Sequence, residues 1–238
     1  MADPRFHVPD LNGAEVQLAE AEGRHASQSR RLRPGDAVML FDGRGTEAAG
    51  EIAAVSRSGV HVRILRTWAR PRLRPTVTLA VAMPKGPRQD VLVEKCTELG
   101  IAGLWPIQTD RSVSEVSDHK LDKWRRTAIE AAKQSGQAWL PVLSPLRRLG
   151  DVLAETAGFD RLFIAVPNSD SPTRWALDVG EVESVLALIG PEGGWTESEL
   201  AACADRGCRA ISLGPNTLRI ETAAIAFAAL LHASLGRA

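Results

Sequence analysis

Nothing in this chain approaches the roughly 20 consecutive apolar residues that a membrane span requires, so no spanning helix is expected. The first ten residues, MADPRFHVPD, lack a basic-then-apolar signal and carry acid early. That pattern points to a cytoplasmic protein. Charge of one sign is also missing, because 29 Lys and Arg are balanced by 29 Asp and Glu. A global pull on nucleic acid is thereby excluded, and any RNA contact must come from local patches. The three cysteines, Cys96, Cys203 and Cys208, have no metal-ligand spacing and cannot all pair. They read as buried, reduced thiols in a reducing compartment, and no metal is expected. Tyrosine is absent although six tryptophans are present, and composition offers no physical reason for that. Finally, neither G-x-x-x-x-G-K-[ST] nor G-x-G-x-x-G occurs, so the usual signs of ATP and NAD are missing.

What is present is an ordinary globular composition, 44% hydrophobic over 238 residues, enough for one large domain or two small ones. The most informative stretch is near the C-terminus. Leu186-Ala187-Leu188-Ile189 is an apolar run that breaks into Gly190-Pro191-Glu192-Gly193-Gly194-Trp195. Thr196 can then cap a helix, with Glu199 closing a capping box. The same grammar repeats at once: Ala210 to Leu213, the turn Gly214-Pro215-Asn216, and an apolar helix from near Leu218. Two such units in succession suggest a ligand seated on the C-terminal ends of parallel strands. Without a phosphate cradle, that ligand should be neutral or zwitterionic and held by bare backbone.

The chain in order divides by composition. Residues 1–70 carry short strands at Glu15–Ala19, Ala37–Phe41, Glu47–Val55 and Gly59–Leu65, with a tight turn at Asp42-Gly43-Arg44-Gly45. One short helix is expected over Glu22–Arg33, and the pattern suggests a small β-barrel. Residues 71–75, within Arg70-Pro71-Arg72-Leu73-Arg74-Pro75, read as a linker. Over 76–238 strands and helices alternate: strands at Val77–Met83, Leu104–Ile107 and Leu162–Val166, helices at Gln89–Leu99 and His119–Ser135. That alternation argues for an α/β domain with a mostly parallel, helix-covered sheet.

LIGPEGGWTESEL (188–200) followed by LGPNTLRIETAAIAFAALL (213–231) resembles the SPOUT methyltransferases, and more closely the ribosomal RNA small subunit methyltransferase E family. That family's last stretch commonly runs Leu-Gly-x-Arg-x-Leu-Arg-x-Glu-Thr-Ala. This chain keeps Leu213, Gly214, Leu218, Arg219, Glu221, Thr222 and Ala223, and departs at Asn216 and Ile220. Further matches follow the family's order: Arg5-Phe6, then His25 with Arg31, Leu32, Arg33, Gly35 and Asp36, where Ser29 and Arg30 replace a Val-Leu pair. Pro84-Lys85-Gly86, Lys95 to Ile101, Pro106, Arg111-Ser112 and Lys133-Gln134-Ser135-Gly136 continue it, with Gln137 where Arg is usual.

The resemblance implies a PUA-like RNA-binding barrel at the N-terminus and a trefoil-knotted domain beyond it, a knot that periodicity alone would never suggest. It implies S-adenosylmethionine as cofactor, N3 of a uridine in 16S ribosomal RNA as acceptor, and a homodimer with the apolar last helix near its interface. The RNA or the assembled small ribosomal subunit would be the partner. The cofactor would be held by Ile189, Gly190, Pro191, Glu192, Gly193 and Gly194, and by Leu213, Gly214, Leu218, Arg219, Thr222 and Ala223, with Ile189, Leu213 and Leu218 sandwiching the adenine. Val166 and Pro167 would complete the pocket. Arg219 would stabilise charge developing on the uracil, and Glu221 would take its proton or hold Arg219. RNA would meet Arg5, Arg24, His25, Arg30, Arg31, Arg33, Lys85, Arg111 and Gln134. Three other readings stay open: an Arg219–Glu221 ion pair that is purely structural, an RNA-binding relative impaired in catalysis or acting at another RNA site, and a nucleotide-binding α/β enzyme of another type.

Overall fold

Two long strands form the spine of the N-terminal part. In the computed structural model, which describes residues 3–112, 116–167 and 182–235, the chain divides into two compact units, Met1–Arg72 with Ile129–Leu140, and Leu73–Ala128 with Pro141–Ala238. In the first unit, β1 (Arg5–His7), β2 (Glu15–Gln17), β3 (Ala37–Phe41), β4 (Thr46–Ser56) and β5 (Gly59–Ala69) form one sheet in the order β1-β3-β4-β5-β2. Only the β1–β3 pair is parallel. Alternate residues of these strands, among them Leu40, Ile52 and Val62, turn inward onto Phe6 and are fully buried, the period of two expected of a half-solvated antiparallel sheet. The β3–β4 turn is set by Asp42, whose carboxylate accepts from the backbone N–H groups of Arg44 (2.7 Å) and Thr46 (2.9 Å).

Residues 129–140 belong to this unit because they cap that turn. A Cβ added to Gly45 would lie 2.2 Å from the Trp139 ring, so only glycine admits the tryptophan there. Trp139 Nε1 donates to the Arg70 carbonyl and the Gln137 carbonyl accepts from Arg5. The unit is therefore not colinear with residues 1–70. The expected single helix over Glu22–Arg33 is instead α1 (Glu20–Arg24) running into one π-helical turn, His25–Ser29, after which Arg31 takes a left-handed φ of 54°.

The second unit contains β6 (Thr76–Val81), α2 (Arg88–Glu98), β7 (Gly103–Gln108), α3 (Asp118–Ser135, whose end lies in the first unit), β8 (Val142–Leu143), β9 (Arg147–Arg148), α4 (Leu149–Ala154), β10 (Arg161–Ala165), β11 (Ser184–Ile189), α5 (Glu197–Asp205), β12 (Arg209–Ile211) and α6 (Ile220–Leu235). Its strands run β12-β10-β11-β6-β7-β8, with β9 on β7, and every pairing is parallel. Both faces are covered, which is why β11 reads as unbroken Val-Leu-Ala-Leu-Ile. Leu186 and Leu188 pack with Leu149, Val152 and Cys203 of α4 and α5. On the opposite face Phe163 of β10 meets Phe227 of α6, ring centroids 5.9 Å apart, and α6 packs on α2. Among the described residues no helix is long and apolar enough to cross a membrane.

Candidate active site

Because the strands are parallel, β10, β11 and β12 end at one edge of the sheet, at Ala165, Ile189 and Ile211. The loops leaving those ends enclose a mainly apolar cavity. Val166 and Pro167 follow β10; Ile189, Gly190, Pro191, Glu192 and Gly194 come from the first glycine loop; Leu213, Gly214 and Leu218 come from the second, and Ala223 from α6. These eleven of the residues expected to hold a cofactor line one space. Gly193, Arg219 and Thr222 do not line it. Residues that the sequence reading missed do: Ala165, Trp195, Ile211, Asn216, Thr217 and Ile220.

The first loop is braced on every side. Trp195 is buried and its Nε1 donates to the Ala165 carbonyl at 3.0 Å. Its indole lies so close to Gly190 that an added Cβ there would stand 2.7 Å from the ring. Arg111 Nη1 donates to the Gly193 carbonyl at 2.9 Å, and a Cβ on Gly193 would meet the Arg111 side chain at 3.2 Å. Gly193 thus faces Arg111 instead of the cavity. Thr196 caps α5 and Glu199 returns the bond, the capping box expected from sequence; Glu199 also accepts from the Asp110 N–H at 2.9 Å.

The second loop has fewer ties. Ser212 Oγ donates to the Gly214 carbonyl at 3.0 Å, and Gly214 has a φ of +141°, where a side chain is strained. Arg219 and Thr222 are exposed. Glu221 is buried, and its Oε2 has no hydrogen-bond partner. Its cation is not Arg219 but Arg88, at the start of α2, whose Nη1 stands 3.9 Å from Glu221 Oε2 and 2.8 Å from Glu192 Oε1. Arg88 thus links the first loop to the last helix. An Arg219–Glu221 pair, structural or positioning, is not formed among the described residues.

The residues expected to meet RNA fall into two groups. Arg30, Arg31, Arg33, Lys85 and Gln134 are exposed. The others are engaged: Arg5 in a part-buried ion pair with Glu47 at 2.8 Å, Arg24 with Glu20 at 2.8 Å, and Arg111 on the glycine loop. His25 packs edge-on against Phe6, centroids 6.3 Å apart. Burial pushes the Cys96 thiol up to about 12. Cys203 and Cys208 share a hydrogen bond that raises the first thiol and lowers the second. Among the described residues no group of three His, Cys, Asp or Glu side chains is placed to hold a metal.

Residues 71–232 match the model of an RNA methyltransferase domain, and residues 18–65 that of an RNA methyltransferase PUA domain. The fold is therefore that of an RNA methyltransferase. The chain is 35% identical over 231 residues to the ribosomal RNA small subunit methyltransferase E of Mycobacterium bovis, covering 92% of this chain and 87% of that one. It belongs to the ribosomal RNA small subunit methyltransferase E family. Its fold is shared with the Neisseria gonorrhoeae member of that name, solved bound to S-adenosyl methionine (TM-score 0.86, 27% identity, 98% of each chain). A Legionella pneumophila protein described as a methyltransferase and solved with the cofactor SAM is equally similar (TM-score 0.85, 29% identity, 98% of each chain).

Proposed function

We propose that this protein transfers the methyl group of S-adenosylmethionine to N3 of a uridine in small-subunit ribosomal RNA. The observation that carries this reading is the cavity between the two glycine loops at the C-terminal strand ends, in a chain of this family. The lining fits such a cofactor: apolar Ile189, Leu213 and Leu218 suit an adenine ring, and the glycine loops offer backbone groups at close range. When bound, the cofactor supplies an electrophilic methyl group.

The chain's own residues must do the rest. Uracil N3 carries a proton at neutral pH and lies on the pairing edge, so the base must be unpaired or turned out of its stack. Arg219, exposed beside the cavity and with no ion pair among the described residues, stabilises negative charge spreading onto the uracil oxygens. Glu221, with one oxygen lacking a hydrogen bond, is the proton acceptor, and Arg88 orients it. The exposed Arg30, Arg31 and Arg33 hold RNA phosphates. The apolar run of α6 supports a homodimer, and the protein works in the cytoplasm on RNA or the assembled small subunit.

The test is transfer of labelled methyl groups to small-subunit RNA, followed by nuclease digestion and mass spectrometry. The reading predicts 3-methyluridine as product, abolished or strongly slowed by Glu221→Gln in a protein that still binds S-adenosylmethionine. A different methylated nucleoside would overturn the N3 assignment, and no transfer to either naked RNA or assembled subunits would overturn the activity.

A further inference from the structure

The opposite end of the parallel sheet carries a second concavity that the proposed reaction does not use. α5 stops in a left-handed turn at Gly207 (φ 78°), with the Cys208 N–H bonded to the Cys203 carbonyl at 3.0 Å. This is a Schellman arrangement, and it brings Arg206 and then Arg209, the first residue of β12, beside β10. Arg161, the first residue of β10, completes the group. The three arginines line a cavity of about 400 Å³ with Thr156, Phe159 and Asp160.

None of the three guanidinium groups forms a close ion pair among the described residues, although the Arg161 charge acts on the neighbouring Asp160 carboxylate. Arg161 Nη1 donates to the Asp160 carbonyl at 2.9 Å, while its Nε is buried with no acceptor. The single acid of the cavity is already engaged. Asp160 accepts from the backbone N–H groups of Glu183 and Ser184, each at 2.9 Å, and faces the Ser184 hydroxyl at 3.0 Å. Those bonds, the Glu183 N–H first, hold its carboxyl below the usual range. Three cations thus line one cavity beside one satisfied anion, in a chain whose acids and bases are equal in number. Ordinary roles explain them singly: Arg206 sits at a helix C-terminus and Arg209 protects an edge strand. Neither role explains why all three line one cavity, nor the buried Nε left without an acceptor among the described residues.

We infer that this cavity is a phosphate-binding site, and that it holds a backbone phosphate of the RNA substrate. Guanidinium groups match phosphate oxygens in geometry and charge, and a concave cluster concentrates their field. The distance suits a single RNA: four residues along β10 separate Arg161 from the cofactor end, roughly 13 Å at 3.3 Å per residue. That is about four base-pair steps of a duplex. The inference rests on the reading of the protein as an RNA methyltransferase, and it widens the RNA footprint beyond the exposed arginines of the first unit.

Anisotropy titrations of a labelled small-subunit RNA fragment from 50 to 300 mM salt test it. The triple variant R161A/R206A/R209A should bind roughly tenfold or more weakly at low salt, and its plot of log affinity against log salt should be shallower by about two. The double variant R206Q/R209Q keeps the part-buried Arg161 and should lose between one and two of that slope. Both should keep wild-type S-adenosylmethionine affinity and thermal midpoint. Unchanged RNA affinity and slope in the folded double variant would overturn the site. A parallel calorimetric titration with inorganic phosphate separates the sources. Submillimolar phosphate binding that the variants lose, with RNA binding intact, would show a free-phosphate site and overturn the RNA assignment. Wild-type protein that binds RNA with the expected slope but transfers no methyl group would contradict the proposed activity and leave this site standing.

Discussion

The two glycine loops that wall the candidate cofactor cavity are written alike and built differently. The first, Gly190 to Trp195, is pinned by an indole to β10, by Arg111 to the loop after β7, by Arg88 to α2, and by a capping box to α5. The second, Leu213 to Arg219, is held among the described residues by one side-chain bond, from Ser212 to the Gly214 carbonyl, and ends in an exposed arginine. The contrast separates two tasks. A preformed wall lowers the ordering cost of binding a ligand, whereas a chemical group must be free of structural partners to answer charge that appears only during reaction.

Removing the pin of the first loop should have the largest effect. Trp195→Ala deletes a buried indole and a hydrogen bond, a loss of about 3–5 kcal/mol, and should lower both the denaturation midpoint and cofactor affinity. Affinity that survives the change would show that the first loop does not need its brace. Arg219→Ala should do the reverse. Single-turnover methylation should fall by roughly 10²–10³, while the thermal midpoint and cofactor affinity stay close to wild type, because the side chain is exposed and forms no ion pair among the described residues. Activity that falls only in step with stability would erase the distinction between the loops.

Smaller effects sharpen the same contrast. Thr196→Ala removes the cap behind the first loop and should cost about 1 kcal/mol, read as a midpoint shift without a change in the denaturant slope. The smallest effect is titrimetric. Burial is the leading cause that lowers the affinity of His7 and His232 for protons. Each therefore titrates below about 6.5 in the folded chain and near it in the unfolded chain. The unfolded state binds the proton first, so stability is flat above that pH and declines as pH falls below it. His232→Gln should flatten part of the decline; an unaltered pH profile would show that burial of this imidazole does not matter to folding.

Much of this architecture is readable from sequence because it is local. The strands Ala37–Phe41 and Ser184–Ile189, the capping box at Thr196 and Glu199, and the start of α6 all follow from patterns a few residues long. β8 and β9 have two residues each, too few to show any period. The contacts that matter most in the site lie far apart in the chain. Trp195 reaches Ala165 across 30 residues, and Arg88 reaches Glu192 across 104, so neither brace has a sequence signature. The Arg219–Glu221 pairing looked natural by proximity, yet residues two apart at a helix start point away from each other. The carboxylate turns toward Arg88 instead. Residues 129–140 joined the first unit for a similar reason, since Trp139 finds a glycine, Gly45, almost a hundred positions earlier.

The most direct measurement is a crystal structure of the protein with S-adenosylmethionine, compared with the ligand-free crystal. The account predicts the adenine against Ile189, Leu213 and Leu218, with the Gly190–Trp195 loop unmoved and any adjustment confined to the Leu213–Arg219 loop. Cofactor density elsewhere, or a first loop that rebuilds on binding while the second stays fixed, would contradict it.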